Sequence, residues 1–116
     1  MMMADAKQSS EIVLGRLLVS SVPATVLFDS GASHSFISWS FASTNGIQHD
    51  LLPSPLQIHT PGSSCRSSVF VPNVEICIQG VIFSASLVVL PRSDIDVILG
   101  MDWLVQHKAK IVCLRL

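Results

Sequence analysis

The residue best placed to do chemistry in this chain is a carboxylate delivered into a tight turn. Val26-Leu27-Phe28-Asp29-Ser30-Gly31-Ala32 runs an apolar, β-forming stretch straight into Asp29. Gly31 follows, where a sharp turn is eased by the missing Cβ. A carboxylate so placed either caps its own turn, as Asp commonly does, or is catalytic. The tripeptide Asp-Ser-Gly by itself favours the turn. His34 invites a different reading, as the base of a serine or cysteine hydrolase, because Ser33 and Ser35 flank it. Neighbours on a strand point to opposite faces, and no Gly-x-Ser-x-Gly elbow occurs, so no triad is expected. His49, His59 and His107 are isolated and read as surface residues. Cys65, Cys77 and Cys113 form no Cys-x-x-Cys pair and have no histidine at ligand spacing. They read as buried free thiols rather than a metal site, and no cofactor is implied.

The elements that must position Asp29 are short and extended. Ile12-Val13-Leu14 and Leu17-Leu18-Val19 flank a break at Gly15-Arg16, and Ser20 to Pro23 punctuate before Ala24–Phe28 forms the strand into Asp29. Ser35–Ile37 extends briefly. Ser38–Asn45 is a short helix with Ser38 as N-cap and Gly46 in the left-handed position past its end. Pro53 and Pro55 force an extended path into Leu56–His59, and Thr60-Pro61-Gly62-Ser63-Ser64 marks the tip of a hairpin. Ser68–Val71, Val74–Ile78 and Val81–Leu90 follow as strands, broken at Pro72-Asn73 and Gln79-Gly80. The alternation over Val74–Gln79 suits a strand with one wet face. Asp96–Gly100 is a buried-type strand, Met101–His107 a short helix, and Ile111–Leu116 a last strand. Trp39 and Trp103 sit on the two helices and read as core. The class is all-β and barrel-like, with one or two short helices.

The 116 residues suit one domain, and at 49% apolar they can bury a core. A domain this small hides a modest share of its surface, so association with a partner would help it. Seven Lys and Arg residues, scattered singly in a chain of net charge -1, make no phosphate-binding surface, so no nucleic-acid partner is expected. Residues 1–10 read as a disordered polar leader without the apolar stretch of a signal peptide, ahead of the domain at 11–116. Val81–Leu90 is too short to span a bilayer, so no membrane partner is expected either. The expectation is a soluble, intracellular, cytoplasmic protein.

Two segments together change the weight on Asp29. VLFDSGASHSFIS (residues 26–38) and DVILGMDWL (residues 96–104) resemble the two signatures of retropepsin-like aspartic proteases, and more closely the protease domains of plant Ty3/gypsy-type retrotransposon polyproteins. The resemblance spans roughly residues 11–113. It implies a retropepsin-like closed β-barrel (the acid protease fold), one lobe per chain. It implies Asp29 as the catalytic aspartate, Ser30 as a hydroxyl hydrogen-bonding to the partner's loop, and Gly31 letting the backbone pass beneath. Ile98, Leu99 and Gly100 would pack under the active-site loop. Thr60 to Cys65 would form a flap tip over the substrate, so that Thr60, Pro61, Gly62 and Ser63 touch a bound peptide together with Ala32 and Ile98. The chain departs from the family in having no aromatic flap residue, no tyrosine at all, and no acidic residue near Val112. It stops at Leu116, so dimer contacts of any later family strand would come from elsewhere.

Aspartic proteases work with two carboxylates so close that both cannot ionise; one activates a water while the other donates a proton. This chain has one Asp-Ser-Gly. Asp94, Asp96 and Asp102 read instead as solvated turn or helix-start charges. A two-fold homodimer would supply the second carboxylate. The resemblance therefore implies a homodimeric endopeptidase acting on a peptide or polyprotein, within the cytoplasm or a virus-like particle. The alternative is a weak or silent retropepsin-like module for dimerisation or peptide binding. The opening Met1-Met2-Met3 without flanking polyprotein suits an excised fragment or a domesticated gene.

Overall fold

The computed structural model describes residues 12–60 and 63–108. Among the described residues seven strands and two short helices follow in order: β1 (Ile12–Val19), β2 (Val22–Asp29), β3 (Phe36–Ser38), α1 (Trp39–Thr44), β4 (Asp50–Thr60), β5 (Ser63–Ile78), β6 (Val81–Leu90), β7 (Val97–Leu99) and α2 (Met101–Gln106). This is the all-β class expected. Hydrogen bonding joins the strands as β1-β2-β7-β3-β6-β5-β4, and a further pairing of β1 with β5 closes the first six into a ring. β7 runs parallel to β2 and β3 parallel to β6; the remaining pairs are antiparallel. The expected leader, the hairpin tip at Pro61-Gly62, Cys113 and the last strand lie outside the described residues.

Turn chemistry explains the hairpins. Ser20 and Ser21 join β1 to β2 at φ 50° and 66°, and Gln79 and Gly80 join β5 to β6 at φ 50° and 79°. Two successive positive φ values give the turn whose twist matches paired strands. Two expected breaks are not breaks. β1 runs through Gly15-Arg16 in unbroken register with β2. β5 runs 16 residues through Pro72-Asn73, with the register against β6 shifting between Val71 and Val74 and Asn73 at φ 54°. The proline lacks an N–H, so it is accommodated in a bulge rather than by ending the strand. Pro53 and Pro55 are absorbed the same way, in the gap in β4–β5 pairing between Leu51 and Leu56.

Inside the ring, Val19, Val26, Ile37, Ile76, Ile78, Phe83, Leu87, Val97 and Leu99 are buried almost completely. The alternation read over Val74–Gln79 is the observed one, with Val74, Ile76 and Ile78 inside and Glu75 and Gln79 outside. Trp103 belongs to this core, its ring 5.4 Å from Phe83 and 6.1 Å from Phe28. Trp39 does not. It is 45% exposed and meets His49 edge-on, because six-residue α1 buries only Phe41 and Ala42. His107 also corrects the surface reading: half-buried, it packs 4.8 Å from Trp103 and its Nε2 lies 3.1 Å from the Ser84 carbonyl. Among the described residues no helix is long and apolar enough to cross a membrane.

Candidate active site

Asp29 is the last residue of β2, and its neighbour Phe28 pairs with Leu99, the last residue of β7. Two strands thus end side by side, and the chain leaves each through a turn. The Gly31 amide donates to Asp29 Oδ1 at 2.9 Å, and the Ala32 amide to the Asp29 carbonyl at 3.1 Å. The carboxylate does cap its own turn, with one oxygen. Among the described residues no hydrogen bond engages Oδ2. Gly31 is not in the left-handed region, but a Cβ there would lie 3.2 Å from Asp29 Oδ1, so the turn does resist a side chain at this position.

The position that does demand glycine is Gly100. A Cβ would lie 2.6 Å from the Ala32 carbonyl oxygen and would overlap that of His34. Backbone meets backbone there, and the Met101 amide donates to the Ala32 carbonyl at 2.7 Å. Gly100 N donates to Ser35 Oγ at 2.9 Å, and Ser35 Oγ donates to Asp102 Oδ1 at 2.6 Å. Leu99 and Gly100 therefore support the Asp29 loop, as the resemblance implies. Asp96 and Asp102 are more than solvated charges: Asp96 Oδ2 accepts from the Thr25 amide at 2.8 Å, tying β2 to the start of β7.

The turn opens into a cleft of about 410 Å³, lined by Asp29, Gly31, Ala32, Ser33, His34 and Phe36 on one side, Leu56–His59 of β4 on the other, and Leu90 and Ile98. Phe36, Ile58 and Leu90 are buried together against Leu56 and Ile98, giving the cleft an apolar base. A slightly larger hollow of about 450 Å³ lies elsewhere, between the α1–β4 loop and the β5 bulge, and contains none of the candidate residues. Among the described residues no cluster of His, Cys, Asp and Glu side chains could hold a metal ion.

Of the residues expected at the site, Asp29, Gly31, Ala32 and Ile98 meet in this cleft. Ser30 is half-buried beside it and is not in its lining. Thr60 and Ser63 pair at the end of the β4–β5 hairpin, and Pro61 and Gly62 lie outside the described residues. His34 lines the cleft with Ser33 Oγ 3.0 Å from its Nδ1, and Ser35 is buried; residues 33 and 34 form a bend rather than a strand, so the expected alternation does not turn Ser33 away from the ring. Sequence reasoning missed Phe36, Leu56–His59 and Leu90 as lining, and Ser35 with Asp102 as support. Strand alternation could have found Leu56 and Ile58; nothing local marks a contact between residues 67 apart.

A profile of the family described as retroviral aspartyl protease matches residues 1–116. A comparison with curated proteins finds no match. Among solved structures the chain is similar to EIAV protease complexed with the inhibitor HBY-793, at 19% identity over 90% of this chain and 95% of that one, with a TM-score of 0.67. It is also similar to the retroviral protease-like domain of Ddi1 from Leishmania major, at 16% identity over 84% of this chain and 76% of that one, with a TM-score of 0.62. At these identities the likeness establishes a retropepsin-like fold.

Proposed function

This chain belongs to the retroviral aspartyl protease family, and from that premise we propose that two copies assemble into an aspartic endopeptidase with one shared active site. The observation that carries the reading is the placement of Asp29. It lines an open cleft, one carboxylate oxygen held by its own turn and the other unengaged by the described chain. The chain has no second Asp-Ser-Gly, so the second carboxylate comes from a second copy across a two-fold axis. Of the two Asp29 side chains, one takes a proton from a water held between them while the other donates to the oxygen of the scissile carbonyl. Ser30 holds the two loops in register through its hydroxyl. The β4–β5 hairpin, with Thr60, Pro61, Gly62 and Ser63 at its end, covers the bound peptide, and Ala32 and Ile98 contact it.

The resemblance of residues 26–38 and 96–104 to plant Ty3/gypsy-type elements supports polyprotein processing as the setting. A weak or silent module for dimerisation or peptide binding is the second reading. Incubation with a mixed peptide library, with and without pepstatin, separates them. Pepstatin-sensitive cleavage is expected. No cleavage by a sample that is folded and dimeric by light scattering would leave the binding module.

A further inference from the structure

We propose that Ser35 and Asp102 are positioning residues that hold the Asp29 turn in place through the backbone of Gly100 and Met101. The inference rests on the endopeptidase reading and deepens it. Ser35 is 1% exposed. A hydroxyl that deep costs free energy unless its hydrogen bonds are made, and an alanine would fill nearly the same space without that cost. Here the hydroxyl uses both its donor and its acceptor capacity, toward the Asp102 carboxylate at 2.6 Å and from the Gly100 amide at 2.9 Å. Asp102 Oδ1 is itself held by the Trp103 amide at 2.7 Å, and the indole of that residue is fixed in the core. The Ser35 carbonyl accepts from Val88 N at 2.9 Å, which anchors the same residue to β6.

From this bracket the restraint runs to the catalytic turn without a gap. Gly100 is pressed against the carbonyls of Ala32 and His34, Met101 N donates to the Ala32 carbonyl, Ala32 N to the Asp29 carbonyl, and Gly31 N to Asp29 Oδ1. Neither Ser35 nor Asp102 is in the cleft lining, so neither touches substrate. What they set is where the carboxylate stands. Two carboxylates that must share one water across a symmetry axis tolerate little displacement, and an error of 1 Å in such geometry costs on the order of 100-fold in rate.

Three variants of the dimeric protein test this, with kcat, KM and amide exchange as readouts. Ser35→Ala and Asp102→Ala should lower kcat on the order of 10- to 100-fold with KM little changed, because the cleft lining is untouched. Asp102→Asn keeps an oxygen where Oδ1 accepts and should retain most of the activity, which loss of a charge alone would not permit. Amide exchange at Ala32 and Met101 should speed up in Ser35→Ala while Leu87 of β6 stays protected. Exchange needs no turnover, so it reads the restraint even if the wild type cleaves nothing, an outcome that would count against the endopeptidase reading alone. Unchanged exchange at Ala32 and Met101, an unchanged kcat in Ser35→Ala, or Asp102→Asn falling as far as Asp102→Ala would each overturn the proposal.

Discussion

One oxygen of Asp29 is spent holding its own turn, through the Gly31 amide, and only the other is open to a water or to a second carboxylate. An amide at this position can still accept from Gly31 N through its oxygen but cannot take a proton from water. Asp29→Asn is therefore expected to abolish cleavage with the thermal midpoint little changed; retained proteolysis would remove Asp29 from the chemistry. The glycines at this scale are not equivalent. A Cβ at Gly15 meets nothing within 4 Å, whereas at Gly100 it runs into two carbonyls that cannot swing away. Gly100→Ala should destabilise by about 1–3 kcal/mol in urea unfolding, and Gly15→Ala by much less. Equal effects would contradict the close backbone approach on which the site is built.

At the scale of elements, α1 shows how a local signal becomes geometry. Ser38 caps it by accepting from Phe41 N at 3.1 Å, and Gly46 follows at φ 64°. Ser38→Ala should cost about 1 kcal/mol in unfolding free energy, read as a lower denaturant midpoint with an unchanged slope. These features were legible beforehand because capping, turns and alternation depend on neighbours in sequence. So was the strand into Asp29, and so was the short helix after Gly100. What was not legible depended on distant partners. Pro72-Asn73 looked like a strand end, yet β6 pairs with β5 on both sides of it and carries it through a bulge. Trp39 and Trp103 looked alike on paired short helices, but only Trp103 finds Phe28 and Phe83 to pack on. Asp102 looked like a helix-start charge and is also the acceptor for a serine on the far side of the sequence.

At the scale of the whole molecule, the ring of strands supplies a single Asp29 to its cleft, and the proposed chemistry needs two. Sharing of one site between two chains has a direct consequence. Wild-type protein, at a concentration where it is dimeric, is mixed with an equal amount of Asp29→Asn and left until subunits have exchanged, and the cleavage rate is compared with that of the same wild-type protein alone. Random pairing leaves half of the wild-type chains in mixed dimers that lack one carboxylate, so the rate should fall to about half, and further with more variant. A rate unmoved by any excess of Asp29→Asn, in a sample whose exchange is verified, would mean that each chain carries its own complete site and that the shared pair of Asp29 carboxylates is wrong.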